Sequence, residues 1–212
     1  DTRARVARFG DRVRYHYQEN FQGQAGTLNT GFRLARGSVV CLLDADDLWA
    51  PGKLARVLAA FAADPELGIV QHGCRYVGPA GEDLGGEALP TGPERLVLAD
   101  LLAGPVYNAH ISSLCLARRV LERIGPVPAP FAASLPDAYL LQHGLFFAPA
   151  ASLRLPLTLY RRHGRSWSDR WGEARANPRD LALGHRTQRA FDGRLRRRLR
   201  ENGLRTDWPR EA

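Results

Sequence analysis

The stretch between Gly37 and Pro51 limits most strongly what this chain can fold into. Val39-Val40-Cys41-Leu42-Leu43 carries no charge and then runs into Asp44-Ala45-Asp46-Asp47. A short aliphatic and β-branched run bounded by Gly and Pro reads as a buried strand covered on both faces. Open α/β sheets bind ligands beyond the carboxyl ends of such strands. Three carboxylates gathered there repel one another, and a hard divalent cation with oxygen ligands would relieve that repulsion. The same letters also allow a plainer use, in which Asp47 caps the helix beginning at Pro51.

Around this run, helical and extended patterns alternate. Residues 2–9 have helical spacing, 13–17 alternate like a strand, 18–26 form a polar loop, and 27–36 return to helical spacing before Gly37. Residues 51–63 predict a helix whose apolar stripe is Leu54, Val57, Leu58 and Phe61. Strands are expected at 69–77, 111–116 and 156–160, helices at 94–102, 118–124 and about 137–146, and Gly/Pro-rich loops at 78–93 and 125–136. Such alternation predicts an α/β fold with a mostly parallel sheet and flanking helices. The 212 residues suit one domain over 1–170, followed by a basic helical tail over 171–212.

Charge is divided unevenly between these two parts. Residues 1–160 hold 15 basic and 15 acidic side chains, whereas 161–212 hold 15 basic and 7 acidic, so the whole +8 lies in the tail. A patch of this kind suits an anionic membrane surface or a phosphorylated substrate. Nucleic acid is disfavoured, because the arginines lack the interleaved aromatics of a stacking platform. Lys53 is the only lysine, a bias that genome coding produces as readily as phosphate recognition.

Cys41, Cys74 and Cys115 are far apart, odd in number and set among apolar neighbours, as expected of small buried hydrophobes in a reducing compartment. None has the spacing of a zinc site. No apolar run has the length of a membrane span, and no signal peptide is visible, so a cytoplasmic location is expected. The chain contains no Met and opens at Asp1-Thr2, which reads as a fragment.

Taken together, NFQGQAGTLNTGFRLARGSVVCLLDADDLWAPGKL resembles the nucleotide-sugar half of a family 2 glycosyltransferase with the GT-A, Rossmann-like fold. HISSLCLARRVLERIGPVP is similar to the acceptor-side segment of that family, SLPDAYLL to its base motif, and LYRRHGRSWS to its closing histidine motif. The similarity covers roughly residues 1–169, with four motifs in the family's order. It implies an inverting transferase that uses a nucleoside-diphosphate sugar, a divalent cation (Mg²⁺ or Mn²⁺) and a saccharide or lipid-linked acceptor, working at the inner face of the membrane.

By the same resemblance, Asp44 and Asp46 are the DxD pair, Asp46 toward the metal and Asp44 toward the ribose. Asp47 is a possible second metal ligand, and His163 the late histidine that helps hold metal or diphosphate. Asn20 and Gln24 lie in the loop that faces the nucleotide, although ordinary loop polarity explains them equally well. Asp137 stands at the position of the catalytic base, preceded by Pro136 instead of the usual acid. An Asp after Pro at a helix start is also an ordinary partner of the helix dipole.

Arg161, Arg162 and Arg165 suit phosphate oxygens. His110 is either an acceptor-side or a structural histidine, and Trp49 and Trp167 either stack on sugars or cover core edges. Family members begin with a βαβ portion of roughly 30 residues or more that is not recognisable here. Its lack implies poor nucleotide binding.

Two other readings compete. A haloacid-dehalogenase-type phosphatase also places DxD after a strand, but Lys53 follows the motif too soon for its lysine. A degenerate glycosyltransferase-like module that binds through its arginine-rich tail accounts for the same sequence without turnover.

Overall fold

The computed structural model describes residues 1–19, 23–104, 106, 110–128, 136–164 and 192–205. The apolar run does become a strand, β1 (Val39–Cys41), in a seven-stranded sheet that also contains β2 (Leu48–Trp49), β3 (Ile69–Val77), β4 (Asp83–Ala88), β5 (Arg95–Leu96), β6 (Leu114–Ala117) and β7 (Ala150–Arg161). Helices α1 (Thr2–Ala7), α2 (Gly23–Leu34), α3 (Lys53–Ala63), α4 (Leu98–Ala103), α5 (Arg118–Ile124) and α6 (Pro136–Gly144) connect and flank them. The strand order is β1-β6-β3-β7-β2, with β4 added to β3 and β5 to β7.

The spine is the parallel ladder between β3 and β7, from Ile69 opposite Ala150 to Val77 opposite Arg161. Its register shifts around His72 and Gly73, opposite Pro156, where a proline cannot donate to a regular ladder. The other five pairings among the described residues are antiparallel. The sheet is therefore mixed, and the expectation of a mostly parallel one is corrected. A strand buried on both faces shows the same unbroken apolar run in either direction, and β6 carries such a run while lying antiparallel between β1 and β3.

Several element boundaries differ from the sequence reading. Residues 13–17 form no strand; Val13, Tyr15 and Tyr17 are 44%, 40% and 68% exposed, so alternation here reflects no buried face. α2 starts at Gly23, inside what reads as loop. Within 78–93 the chain forms β4, which folds back on β3 as a hairpin. Arg95 and Leu96 pair with β7, so the helix expected from 94 begins only at Leu98.

On α3 the buried face is Lys53 and Val57, whereas Leu54 and Leu58 are 49% and 54% exposed. The main core lies between the sheet and α5 and α6, around Ile69, Leu114, Leu116, Leu140 and Leu141. A Cβ at Gly144 would lie 2.4 Å from the Ile69 Cδ1 atom, which is how α6 lies so close to β3. Residues 192–201 are helical and deliver Leu195 and Leu199 into this core. No helix among the described residues is long and apolar enough to cross a membrane.

Candidate active site

The acidic turn leaves the carboxyl end of β1 and is closed by a hydrogen bond from the Asp47 amide to the Asp44 carbonyl (3.2 Å). Two separate segments brace it. Ser112, in the 3-10 turn Ile111–Ser113 before β6, accepts from the Asp44 amide (2.9 Å) and donates to Asp47 Oδ2 (2.7 Å). The Arg161 amide at the end of β7 donates to Asp47 Oδ1 (3.0 Å), and Arg161 Nε donates to the Asp46 carbonyl (2.8 Å). Just beyond β7, His163 Nε2 lies 3.0 Å from Asp46 Oδ2.

The Ser112 carbonyl is itself held from below. It accepts from Lys53 Nζ (2.8 Å) and from Thr158 Oγ1 (3.0 Å). Lys53 is only 1% exposed, and its ammonium lies 4.1 Å from the centre of the Trp49 ring, a cation–π contact in a dry setting. Burial drives its pKa down, while the nearby Cys115 and Cys41 thiols and Asp47 oppose that shift.

The three carboxylates are thus unequal. Asp47 is buried, with both oxygens already accepting hydrogen bonds. Asp46 is the most open, its side chain 42% exposed. Asp44 accepts from Gln24 Nε2 (3.3 Å), which the first turn of α2 brings in. Burial, followed by repulsion from Asp47, Asp46 and Asp137, pushes the Asp44 carboxyl up to about 7. That repulsion also locates Asp137, in the first turn of α6, close enough for its charge to be felt by Asp44. The Asp137 carboxyl is raised by burial too, partly offset by the Ala138 amide at 2.8 Å.

His110 lies beneath Asp47, with Nδ1 3.8 Å from Asp47 Oδ2 and its ring 4.9 Å from that of Tyr160. Burial drives its pKa down to about 3, so it is neutral here. Arg161 uses its guanidinium on the Asp46, Gly78 and Pro79 carbonyls, and Arg162 lies over the Tyr76 ring at 5.7 Å. Trp49 covers Lys53. Asn20, Arg165 and Trp167 lie outside the described residues.

Gln24, Asp44, Asp46, Asp47, His163 and Asp137 are therefore gathered around one end of β1. Ser112, Thr158 and the bracing role of Lys53 were not legible in the sequence. The one available signal was a sole lysine placed just after the acidic turn.

The mixed α/β sheet with flanking helices is similar in fold to GT-A glycosyltransferase structures. Among solved structures, the mannosyltransferase PcManGT from Pyrobaculum calidifontis, determined with GDP-Man and Mn²⁺, superposes with a TM-score of 0.54 at 22% identity, over 82% of this chain and 48% of that one. The model of the family described as "Glycosyl transferase family 2" matches residues 1–96, and that segment belongs to the family. An uncharacterized glycosyltransferase of Nostoc sp. (strain PCC 7120) is 30% identical over 161 residues, 73% of this chain and 48% of the relative. The chain thus spans about half the length of the proteins it matches.

Proposed function

We propose that this chain carries the donor-binding and catalytic part of an inverting glycosyltransferase that moves a sugar from a nucleoside-diphosphate sugar to an acceptor hydroxyl. The observation that carries this reading is the Asp46–His163 contact at 3.0 Å beside the Gln24–Asp44 pair, with Asp137 within electrostatic reach. Asp46 Oδ2 and His163 Nε2 offer one carboxylate oxygen and one imidazole nitrogen at a common point, a donor set that suits Mn²⁺ and accommodates Mg²⁺ less well.

No group of three or more His, Cys, Asp or Glu able to hold a metal occurs among the described residues, so remaining ligands are expected from the diphosphate. The bound cation supplies Lewis-acid stabilisation of the charge that develops on the departing nucleoside diphosphate.

The chain's own residues do the rest. Asp47, held by Ser112 and Arg161, fixes the turn from which Asp46 projects, and a second-ligand role for it belongs to the same proposal. Asp44, steadied by Gln24, faces the ribose. Arg162 is placed to reach phosphate oxygens. Asp137, whose carboxyl pKa is raised by burial, takes the proton from the attacking acceptor hydroxyl. Attack opposite the departing diphosphate inverts the anomeric carbon.

The acceptor is a saccharide or a lipid-linked sugar. Exposed Arg194, Arg196, Arg197 and Arg200 form a basic face suited to the anionic inner surface of a membrane, in keeping with a cytoplasmic enzyme.

The test is donor hydrolysis across UDP- and GDP-sugars with Mn²⁺, for the chain and its Asp46→Ala and Asp137→Ala variants. GDP-Man is the first donor to try, because it is the one bound to the fold neighbour. The expected result is turnover that both substitutions abolish. Nucleotide binding without turnover would favour the non-catalytic module instead.

A further inference from the structure

Two of the three cysteines meet across the strand pair that leads into the acidic turn. Cys41 in β1 is in register with Cys115 in β6. The Leu42 amide donates to the Leu114 carbonyl and the Arg118 amide to the Ser38 carbonyl, which makes 42–114 and 38–118 the hydrogen-bonded pairs of this antiparallel ladder. Cys41–Cys115 therefore falls on the alternate, non-hydrogen-bonded kind of site, where Cα atoms are only about 4.5 Å apart and side chains approach most closely. That separation lies within the range a disulfide spans. Both side chains belong to the cluster on the α3 side of the sheet, around Val57 and Val70.

The pair is chemically asymmetric. Cys41 is partly exposed, whereas Cys115 is completely buried. Interaction between the two thiols, supported by the Lys53 ammonium, pulls the Cys41 pKa down, while the same interaction and burial push Cys115 up. One partner has access and a lowered pKa, and the other is a buried thiol directly opposite it in register, which is the arrangement of a reactive and a resolving cysteine. Cys74 is 1% exposed, and burial pushes its thiol up to about 11, so it serves as an internal control.

We propose that Cys41 and Cys115 are a peroxide-sensitive pair that closes reversibly into a cross-strand disulfide between β1 and β6. The Cys41 thiolate attacks a peroxide oxygen and the O–O bond breaks. Hydroxide leaves and takes up a proton, giving Cys41 sulfenic acid and water. The Cys115 sulfur then attacks the Cys41 sulfur, the S–O bond breaks, and the hydroxyl departs with the Cys115 proton as a second water. Two thiols lose two electrons in total, and one hydrogen peroxide is reduced to two waters.

The experiment treats the folded chain with hydrogen peroxide, counts free thiols, and maps the peptides by mass. Expected is a fall from three titratable thiols to one, a mass lower by two hydrogens, a linked peptide pair containing Cys41 and Cys115, and full reversal by dithiothreitol. Cys41→Ser should leave the remaining thiols untouched at the same dose. Cys115→Ser should leave a Cys41 sulfenic acid that dimedone captures. The inference is overturned if all three thiols persist in the folded wild type, if Cys41 proceeds to sulfinic acid without a link, or if Cys74 is the partner. The wild-type peptide map decides even if a variant folds poorly.

Discussion

Ser112 is the residue on which the geometry of the acidic turn depends most. Its hydroxyl serves the Asp44 amide and Asp47 at once, and its carbonyl receives Lys53 and Thr158. Ser112→Ala removes the hydroxyl and leaves a buried carboxylate oxygen short of a donor, at a cost of about 2 kcal/mol. The melting temperature should fall by about 4–8 °C in a differential scanning measurement. Mn²⁺ binding followed by electron paramagnetic resonance should weaken as well.

A second outcome at this scale concerns pH. The Asp44 carboxyl is raised from 3.8 to about 7, so the folded chain prefers its protonated form. The stability this contributes is complete below the ordinary value and is lost as pH rises through about 7. Without divalent cation, the melting temperature should decline across that window. Asp44→Asn should flatten the decline, melting higher than wild type at about pH 8 and matching it below about pH 4. A parallel decline in both proteins would contradict the assignment.

The acids themselves were legible, since three carboxylates after an apolar run leave few other uses. Their different roles were not, because nothing in the letters Asp-Asp tells which side chain turns inward to Ser112 and Arg161 and which faces water. That distinction comes from residues 65 to 117 positions away.

At the scale of elements, the length of the apolar runs was informative and the direction of their pairing was not. β3 and α5 stand where the sequence patterns put them, while β7 begins at Ala150, six residues before the strand expected at 156–160, and passes through Pro156. The α3 stripe shows why. The helical period groups Leu54, Val57 and Leu58 together, but the helix turns Lys53 and Val57 inward because a buried ammonium has Trp49 and the Ser112 carbonyl to meet.

The two helices therefore predict opposite responses to substitution. Leu140→Ala, on the buried face of α6, should cost about 2–5 kcal/mol in urea unfolding. Leu58→Gln, on the open face of α3, should stay within about 0.5 kcal/mol of wild type. Equal losses at both sites would mean that α3 is rotated from the arrangement described.

For the whole molecule, the arginine-rich helix is divided between two roles. Leu195 and Leu199 belong to the core, and Arg198 lies 4.9 Å from the centre of the Phe147 ring. Arg194, Arg196, Arg197 and Arg200 face solvent. Changing those four to Gln should leave the melting temperature nearly unaltered and abolish co-sedimentation with phosphatidylserine vesicles at low salt. Leu195→Ala with Leu199→Ala should instead lower the melting temperature. Vesicle binding that survives the four substitutions would show that this arginine face is not the membrane contact, while leaving the catalytic reading intact.

β7 also has a consequence in time. Its amides and carbonyls are shared with β3 along nearly its whole length, and with β5 at its start and β2 near its end. Hydrogen exchange there should be among the slowest in the chain, and that slow strand ends at Arg161, two residues before His163. Asp46, by contrast, projects from a turn of a few residues. Of the two groups that meet at 3.0 Å, one hangs just beyond the most persistent strand and the other from a turn whose backbone Ser112 and Arg161 hold. A guest entering between them would be met by a frame already in place, in which only the Asp46 side chain need rotate, so slowed exchange on binding should be confined to residues 44–47.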